Sequence, residues 1–460
     1  MPDDIAMPAS PTRPAPGALP LSRRQVLTAC IGAAVGGAVR STSAGTRAQV
    51  LPVATVVLEA PRLFDGTRVA VTDGARVIVR DGRVLAAGRA ADIAAPDGAK
   101  VTRLDGCTLL PGLIDLHFHI EDDPPMALRQ LAHGITAFRD PGEWMEMHEP
   151  LRRRIASEAL PGPRLFLTGP HIDGERPAYP ADSFVARDAE EARRQVRRAV
   201  AEGATAIKIY FRLPLASALA VIETCRALGV PSTAHLEILD ARELIDAGLT
   251  GVEHITSFGT SLASPMQAEG YRQAVLADNG ARRDGRYALF AEADLDGPEA
   301  RRLYALVTRT RPFVDATLAV FEARATDAQP TGSTLTPARR AEVFAKMQAL
   351  VRRLHDSGAR LVMGGHTSVP HAGRGEAPWR ELELLVASGL SATEALVAAT
   401  TNAAAFLGSG GANLGVIRAG GAADLVAVDG RPDADIGAVR RVRLVMAAGR
   451  VLELSRLRTL

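Results

Sequence analysis

The chain has 460 residues, 47% of them hydrophobic and 4% aromatic, and a formal net charge of +2. That length exceeds one typical domain, and the near-balance of charge leaves no concentrated basic surface for nucleic acid and too few aromatic rings for base stacking. Arginine greatly outnumbers lysine, so Lys100, Lys208 and Lys346, the only lysines, each ask for a reason.

Near the start, Ser22-Arg23-Arg24-Gln25-Val26-Leu27 precedes the small apolar run TACIGAAVGGAV and the polar STSAGTRAQ. Paired arginines ahead of a weakly hydrophobic segment have the form of a twin-arginine export signal, a route that carries folded proteins with their cofactors loaded. Thr42 and Ala44, or Thr46 and Ala48, have signal-peptidase spacing, which makes residues 1–48 a leader and the mature protein periplasmic or secreted. The run is too short and too rich in Gly and Ala to span a bilayer, so no membrane association is expected after processing. Cys107 and Cys225 remain; neither has a histidine beside it in a motif, and buried structural thiols are the expectation.

Residues 49–108 read as short β segments, VATVVLEA and then RVAVTDGARVIVRDGRVLAAG, with Asp73-Gly74 and Asp81-Gly82 marking tight turns. A second β-rich stretch, Ala423 to Leu454, falls within residues 413–460. The two pieces are expected to pair into one small β-sandwich. Between them, in residues 109–412, eight apolar runs alternate with amphipathic helical patterns: LLPGLIDLHFH, GITAFRDPG, RLFLTGP, TAIKIYF, VPSTAHLE, GVEHITSF, PFVDATLAVF and ARLVMGGHTS. Eight β/α units in succession predict an α/β fold, a (β/α)8 TIM-like barrel. An open doubly wound sheet is the alternative, but the Gly-rich phosphate fingerprint that opens many such sheets is missing. Ser261 to Thr310 and Thr326 to Pro337 read as insertions over one rim.

In a barrel of this kind the site forms where the strands end. Strand alternation puts His117 and His119 on one face at the end of the first run, and two converging imidazoles make half of a metal site. His235, His254 and His366 close later runs, while His133, His148, His171, His355 and His371 are assigned to helices or loops. Lys208 lies inside TAIKIYF, where an unpaired ammonium is costly to bury. It is either a structural salt bridge or a lysine carboxylated by carbon dioxide, whose carbamate bridges two metals; carboxylation requires the neutral amine, the form that burial favours.

The PGLIDLHFH signature, GITAFRD, IKI, the TAH and VEH histidines and the closing GVIRAGGAADLVAVDGRPDADI, in this order, resemble the amidohydrolase superfamily, and within it imidazolonepropionase- and Xaa-Pro-dipeptidase-like members. The resemblance implies that His117, His119 and Lys208 hold one metal and Lys208, His235 and His254 another, with one or two Zn2+ ions per chain, or manganese, iron or cobalt in their place. One departure stands out. Where the family ends its eighth strand in Gly-Thr-Asp, with the aspartate as ligand and base, this chain reads Met363-Gly364-Gly365-His366-Thr367. His366 is then a metal ligand or a catalytic base, not easily both. Its neutral ring leaves the site one charge more positive, so the bound water is more acidic and leaving-group protonation falls to another acid. Asp140, Glu237 and His371 are candidates by loop position, and Asp140, His366 and Lys208 are the residues expected to act in catalysis. Arg139 and Arg374 read as surface arginines, with capture of a substrate carboxylate as the alternative.

The expected function is metal-assisted hydrolysis of an amide-type C–N bond in a small molecule (a peptide, an N-acyl amino acid or a cyclic amide) by hydroxide generated at the metal. Lactone, ester or phosphotriester hydrolysis is the alternative, and a catalytically silent metal-binding barrel the third reading. A homo-oligomer stays open.

Overall fold

Aspartate followed by glycine folds the first hairpin. The computed structural model describes residues 55–67, 71–120, 124–157 and 162–459; the twin-arginine segment and its processing sites lie outside them. Strands β1 (Val56–Leu63), β2 (Thr72–Arg80) and β3 (Arg83–Arg89) are antiparallel neighbours. The β2–β3 turn puts Asp81 at φ +52° and Gly82 at φ +71°, the left-handed pair that a two-residue hairpin demands. Asp73-Gly74, read from sequence as a turn, instead lies inside β2, where the register with β1 sets it against Pro61 and Arg62. Strands β4 (Lys100–Arg103) and β5 (Cys107–Pro111) run parallel to β1.

The first apolar run holds the end of β5 and then β6 (Leu113–Asp115), and each of the other seven contains one strand: β7 (Ile135–Asp140), β8 (Arg164–Leu167), and, after two short strands β9 (His171–Asp173) and β10 (Ser183–Val185), β11 (Ile207–Ile209), β12 (Ser232–His235), β13 (Gly251–Glu253), β14 (Phe313–Asp315) and β15 (Arg360–Val362). Strands β6 to β15 pair in parallel, in a three-stranded sheet ordered β6-β7-β8 and a seven-stranded sheet ordered β10-β9-β11-β12-β13-β14-β15. Regular pairing breaks at two seams. Thr168-Gly169-Pro170 separates β8, which pairs with β7, from β9, which pairs with β11; Pro170 has no N–H with which to continue a ladder. Isolated bonds cross the gaps: Thr205 N donates to Leu167 O at 2.7 Å, Leu116 N to Met363 O at 2.9 Å and His366 N to His117 O at 2.6 Å.

The intervening helices follow their sequence period. In Ala189–Glu202, Ala192, Val196 and Ala199 make the buried stripe, and Asp188 caps the first turn by accepting from Glu191 N at 2.7 Å. Outward-facing strand residues such as Ile207 and Ile209 join these helices in the largest core cluster, and Lys208 between them faces the other way. The Ser261–Thr310 insertion is helical, in Pro265–Ala277, Arg282–Glu292 and Pro298–Thr310.

The chain then returns to the first sheet. Strand β16 (Leu425–Asp429) pairs antiparallel with β5, followed by β17 (Val442–Ala447) and β18 (Arg450–Val451), so both ends of the described chain build one eight-stranded sheet. Arg164 Nε donates to Asp424 at 2.6 Å and ties that sheet to β8. Among the described residues no helix is long and apolar enough to cross a membrane. Cys107 and Cys225 are free and buried, and burial pushes the Cys225 thiol up to about 12, as expected of inert structural thiols.

Candidate active site

The strand ends of β6, β11, β12, β13 and β15 converge on one cavity of about 180 Å³, and His117, His119, Lys208, His235, His254 and His366 all line it. Three of the rings are aimed by a group behind them. Asp315 at the end of β14 takes up His117 Nδ1 at 3.1 Å, and Thr317 takes up His254 Nδ1 at 2.7 Å, leaving each Nε2 for the cavity. His235 is reversed: its Nε2 meets Glu237 Oε2 at 2.7 Å, so Nδ1 is the ring nitrogen left over. That Nδ1 is buried and finds no protein partner. An imidazole donating from Nε2 holds a lone pair at Nδ1, and a buried lone pair with nothing to accept fits a cation.

Ring nitrogens of His117, His254 and His366 lie within 4.8 Å of one another, a spacing at which three ligand atoms can share one ion. His366 therefore sits where a ligand would, its ring stacked on His117 at a centroid distance of 4.9 Å. His119 and His235 flank the trio, with centroids 5.2 Å from His117 and 4.5 Å from His254. The backbone at these strand ends is unusual for non-glycine residues: His254, Thr317, His366 and Thr367 have φ of +65°, +44°, +58° and +54°. His254 N bonds to Asp315 O at 2.7 Å and His366 N to His117 O at 2.6 Å, so each turn is pinned to the neighbouring strand. Gly364 is required by a close approach, since a Cβ there would stand 2.1 Å from Asp315 Oδ1.

A model of the amidohydrolase family matches residues 108–452, most of the chain. The chain belongs to the amidohydrolase family. No curated protein matches it in sequence. Among solved structures this amidohydrolase is similar to a Xaa-Pro dipeptidase with bound methionine (20% identity, 87% of this chain and 100% of that one, TM-score 0.67). It is also similar to the ochratoxinase of A. niger (18%, 87% and 96%, 0.67) and to a bottromycin amidohydrolase (21%, 88% and 88%, 0.66). At these identities the likeness is one of fold.

The amidohydrolase holds its lysine in an ion pair. Lys208 Nζ is 2.6 Å from Glu253 Oε2, and Arg139 Nη2 is 2.6 Å from Oε1 of the same carboxylate. Burial alone would raise the Glu253 pKa, but the Arg139 and Lys208 charges outweigh it and bring it to about 2. Arg139 is therefore not the surface arginine read from sequence. It is 1% exposed, bonded through Nε to Leu116 O at 2.8 Å, because Glu253 supplies its counter-charge inside the wall. Arg374 is exposed on a loop and does not line the cavity.

The acid candidates serve the histidines. Asp140 is buried behind the cavity wall, accepting from Ile120 N at 2.9 Å and His148 Nε2 at 3.2 Å, with Oδ1 3.9 Å from His119 Nδ1. Burial raises its carboxyl, yet the bond from His148 and the charges of His119 and His148 prevail and hold it below its ordinary range. Glu237 is also held below its ordinary range, since against burial stand the Arg286 charge and the His235 bond; Tyr271 Oη also donates to it. His371 pairs with Asp327 at 3.2 Å, outside this cavity.

Among the lining groups that escaped the sequence reading are His171, Arg282 and Arg286. His171, assigned there to a loop or helix, begins β9 and stacks on Tyr210 at 4.1 Å. Ser183 Oγ donates its one proton to Tyr179 O at 2.6 Å, so it accepts from His171 Nε2 at 2.8 Å and leaves His171 Nδ1 an acceptor beside Gly142. Arg282 and Arg286, one turn apart on the insertion helix, bring positive charge to the rim. Arg282 donates to Tyr179 Oη at 3.0 Å, and Arg286 Nε is 3.5 Å from Glu237 Oε1.

Burial, with mutual repulsion and the Lys208 charge, lowers every imidazole in the cluster, His235 to about 4 and His366 to about 3. Unfolded histidines titrate near 6.5, so between that pH and about 4 the unfolded chain binds protons that the folded chain refuses, and stability falls as pH falls. The metal-free protein should show its unfolding midpoint dropping steadily from about pH 7 to about pH 5. A midpoint constant over that window would contradict the burial of neutral imidazoles.

Proposed function

We propose that this amidohydrolase is a metal-dependent enzyme hydrolysing the amide C–N bond of a small substrate that carries a carboxylate beside that bond, with N-acyl amino acids and dipeptides foremost. The observation that carries the reading is the convergence of neutral imidazole donors, including the orphaned Nδ1 of His235, in a cavity whose rim holds Arg282 and Arg286. The eight strand-bearing runs, taken as the wall of a barrel, give the frame from which these side chains project.

His117, His119, His235, His254 and His366, with Lys208, would hold one or two divalent ions, zinc first because the donors are imidazole. When bound, such an ion supplies Lewis acidity to the scissile carbonyl and acidifies the attacking water. The protein's own groups do the rest. Asp315, Thr317 and Glu237 fix which nitrogen of His117, His254 and His235 faces the cavity. Arg282 and Arg286 bind the carboxylate and so orient the amide, and His171 Nδ1 accepts a hydrogen bond from the substrate. With Asp140 and Glu237 held as carboxylates, neither is the acid for the leaving nitrogen. That observation keeps ester and lactone hydrolysis as the second reading, since those leaving groups need less protonation.

In this reading Lys208 would serve as a carbamate ligand. Its ammonium first gives one proton to water, the neutral amine then forms a C–N bond to carbon dioxide and releases its second proton to water, while Arg139 stays to balance Glu253. Metal uptake then rises when bicarbonate is present during reconstitution. Export by the twin-arginine route is part of the proposal, and fractionation of cells expressing the full chain tests it.

The test of substrate class compares N-acyl amino acids with the same amides lacking the carboxylate. Arg282→Met should raise KM for the carboxylate series by about 10- to 100-fold, the worth of one charged hydrogen bond, and leave the uncharged series alone. Equal losses in both series would remove the carboxylate from the account, and faster turnover of matched esters with no amide cleavage would favour the second reading.

A further inference from the structure

The insertion helix Arg282–Glu292 stands between two cavities. Its Arg282 and Arg286 face the site, and Arg283 and Tyr287, each one residue further round, face a second cavity of about 330 Å³, larger than the first. The two cavities meet at Val320 and Pro370, which line both. Neither residue is charged, so the boundary that the two cavities share is apolar at these positions.

The charged groups around the second cavity are mostly occupied with one another, and Arg283 donates to Thr331 O at 3.0 Å. Glu322 takes Arg324 and Arg380 at 2.7 Å each, Asp327 takes His371 at 3.2 Å, and Arg340 stacks over Tyr287 at 4.0 Å and faces Asp284 at 3.5 Å. Beside these pairs the wall offers the side chains of Val320, Ala323 and Ala328 and the prolines Pro330, Pro337 and Pro370, with Gln329 and Thr331 as its uncharged polar groups. Such walls favour an uncharged apolar group and give nothing to a second carboxylate.

We propose that this second cavity is a subsite for the acyl arm of the substrate, so that the substrate class is an N-acyl amino acid with a medium-length aliphatic or an aromatic acyl group. The inference rests on the carboxylate-amide reading given above. In it Arg282 and Arg286 hold the amino-acid carboxylate, the amide lies at the histidine cluster, and the acyl arm passes Val320 and Pro370 into the apolar cavity.

The experiment compares N-acetyl- and N-octanoyl-amino acids on the full zinc-loaded protein and on Ala323→Trp, which fills the second cavity without touching the histidine cluster. Each buried methylene is worth about fourfold, so the wild type should prefer octanoyl by tens of fold or more in kcat/KM. In Ala323→Trp that preference should fall to near unity through KM, with the acetyl substrate unchanged. An octanoyl preference that survives Ala323→Trp, or no preference in the wild type, overturns the subsite. Should neither compound be hydrolysed, the proposed function fails on its own, and calorimetric binding of N-octanoyl-amino acid still decides the subsite: binding abolished by Ala323→Trp supports it, and equal binding to both proteins overturns it. Ala328→Trp, which intrudes from the 326–337 loop, repeats the test if Ala323→Trp does not fold.

Discussion

Replacing His254 by alanine is expected to lower kcat/KM by about a thousandfold or more, the equivalent of roughly 4 kcal/mol of transition-state stabilisation, and to strip the protein of bound metal. Its ring is the hub of the cluster, with centroids 4.7 Å from His117, 4.5 Å from His235 and 5.7 Å from His366. Thr317 aims it, and the left-handed backbone at φ +65° holds it at the mouth of β13, so no neighbouring side chain can take its place. Steady-state kinetics together with metal analysis of the purified variant checks this. An unchanged metal content with near-normal turnover would take His254 out of the site.

The second large effect is on stability. Glu253→Leu in the metal-free protein should cost about 3–5 kcal/mol, because it leaves the Lys208 ammonium and the Arg139 guanidinium without their shared counter-charge in a dry interior. By contrast, an exposed pair such as Arg309 with Asp246 should contribute under about 1 kcal/mol. Urea unfolding of Glu253→Leu, of Lys208→Met and of the double variant makes the comparison; the double variant should recover part of the loss. Additive losses would mean that the two residues do not interact across the 2.6 Å contact.

Much of the site was legible because its residues obey a period. A strand that alternates delivers His117 and His119 to one face, and a run that ends in histidine at three more places marks a common rim; those five histidines and Lys208 line one cavity. Arg139 was misread because an arginine's burial depends on a carboxylate 114 positions away, and no local pattern announces Glu253 as its partner. His171 was missed because Thr168-Gly169-Pro170 looks like the end of a strand, whereas β9 resumes just beyond it and His-Ile-Asp again alternates. Arg282 and Arg286 belong to a helix in the longest insertion, where the sequence shows a charged surface face; only the placement of that helix over the rim turns the face toward the histidines. The departure at His366 was legible, and what surrounds it was not. Asp315 from the preceding strand reaches under Gly364 to His117, so a carboxylate stands close to the eighth strand's end although that strand supplies none.

The claim at the centre of this account is that the histidine cluster holds a metal on which hydrolysis depends. Metal analysis of the natively purified full chain, paired with amide hydrolysis before and after chelation and after re-addition of zinc, tests it most directly. The account predicts one to two transition-metal ions per chain, activity lost with them, and activity restored by zinc. A protein that contains no such ion and hydrolyses its substrate at an undiminished rate would contradict it.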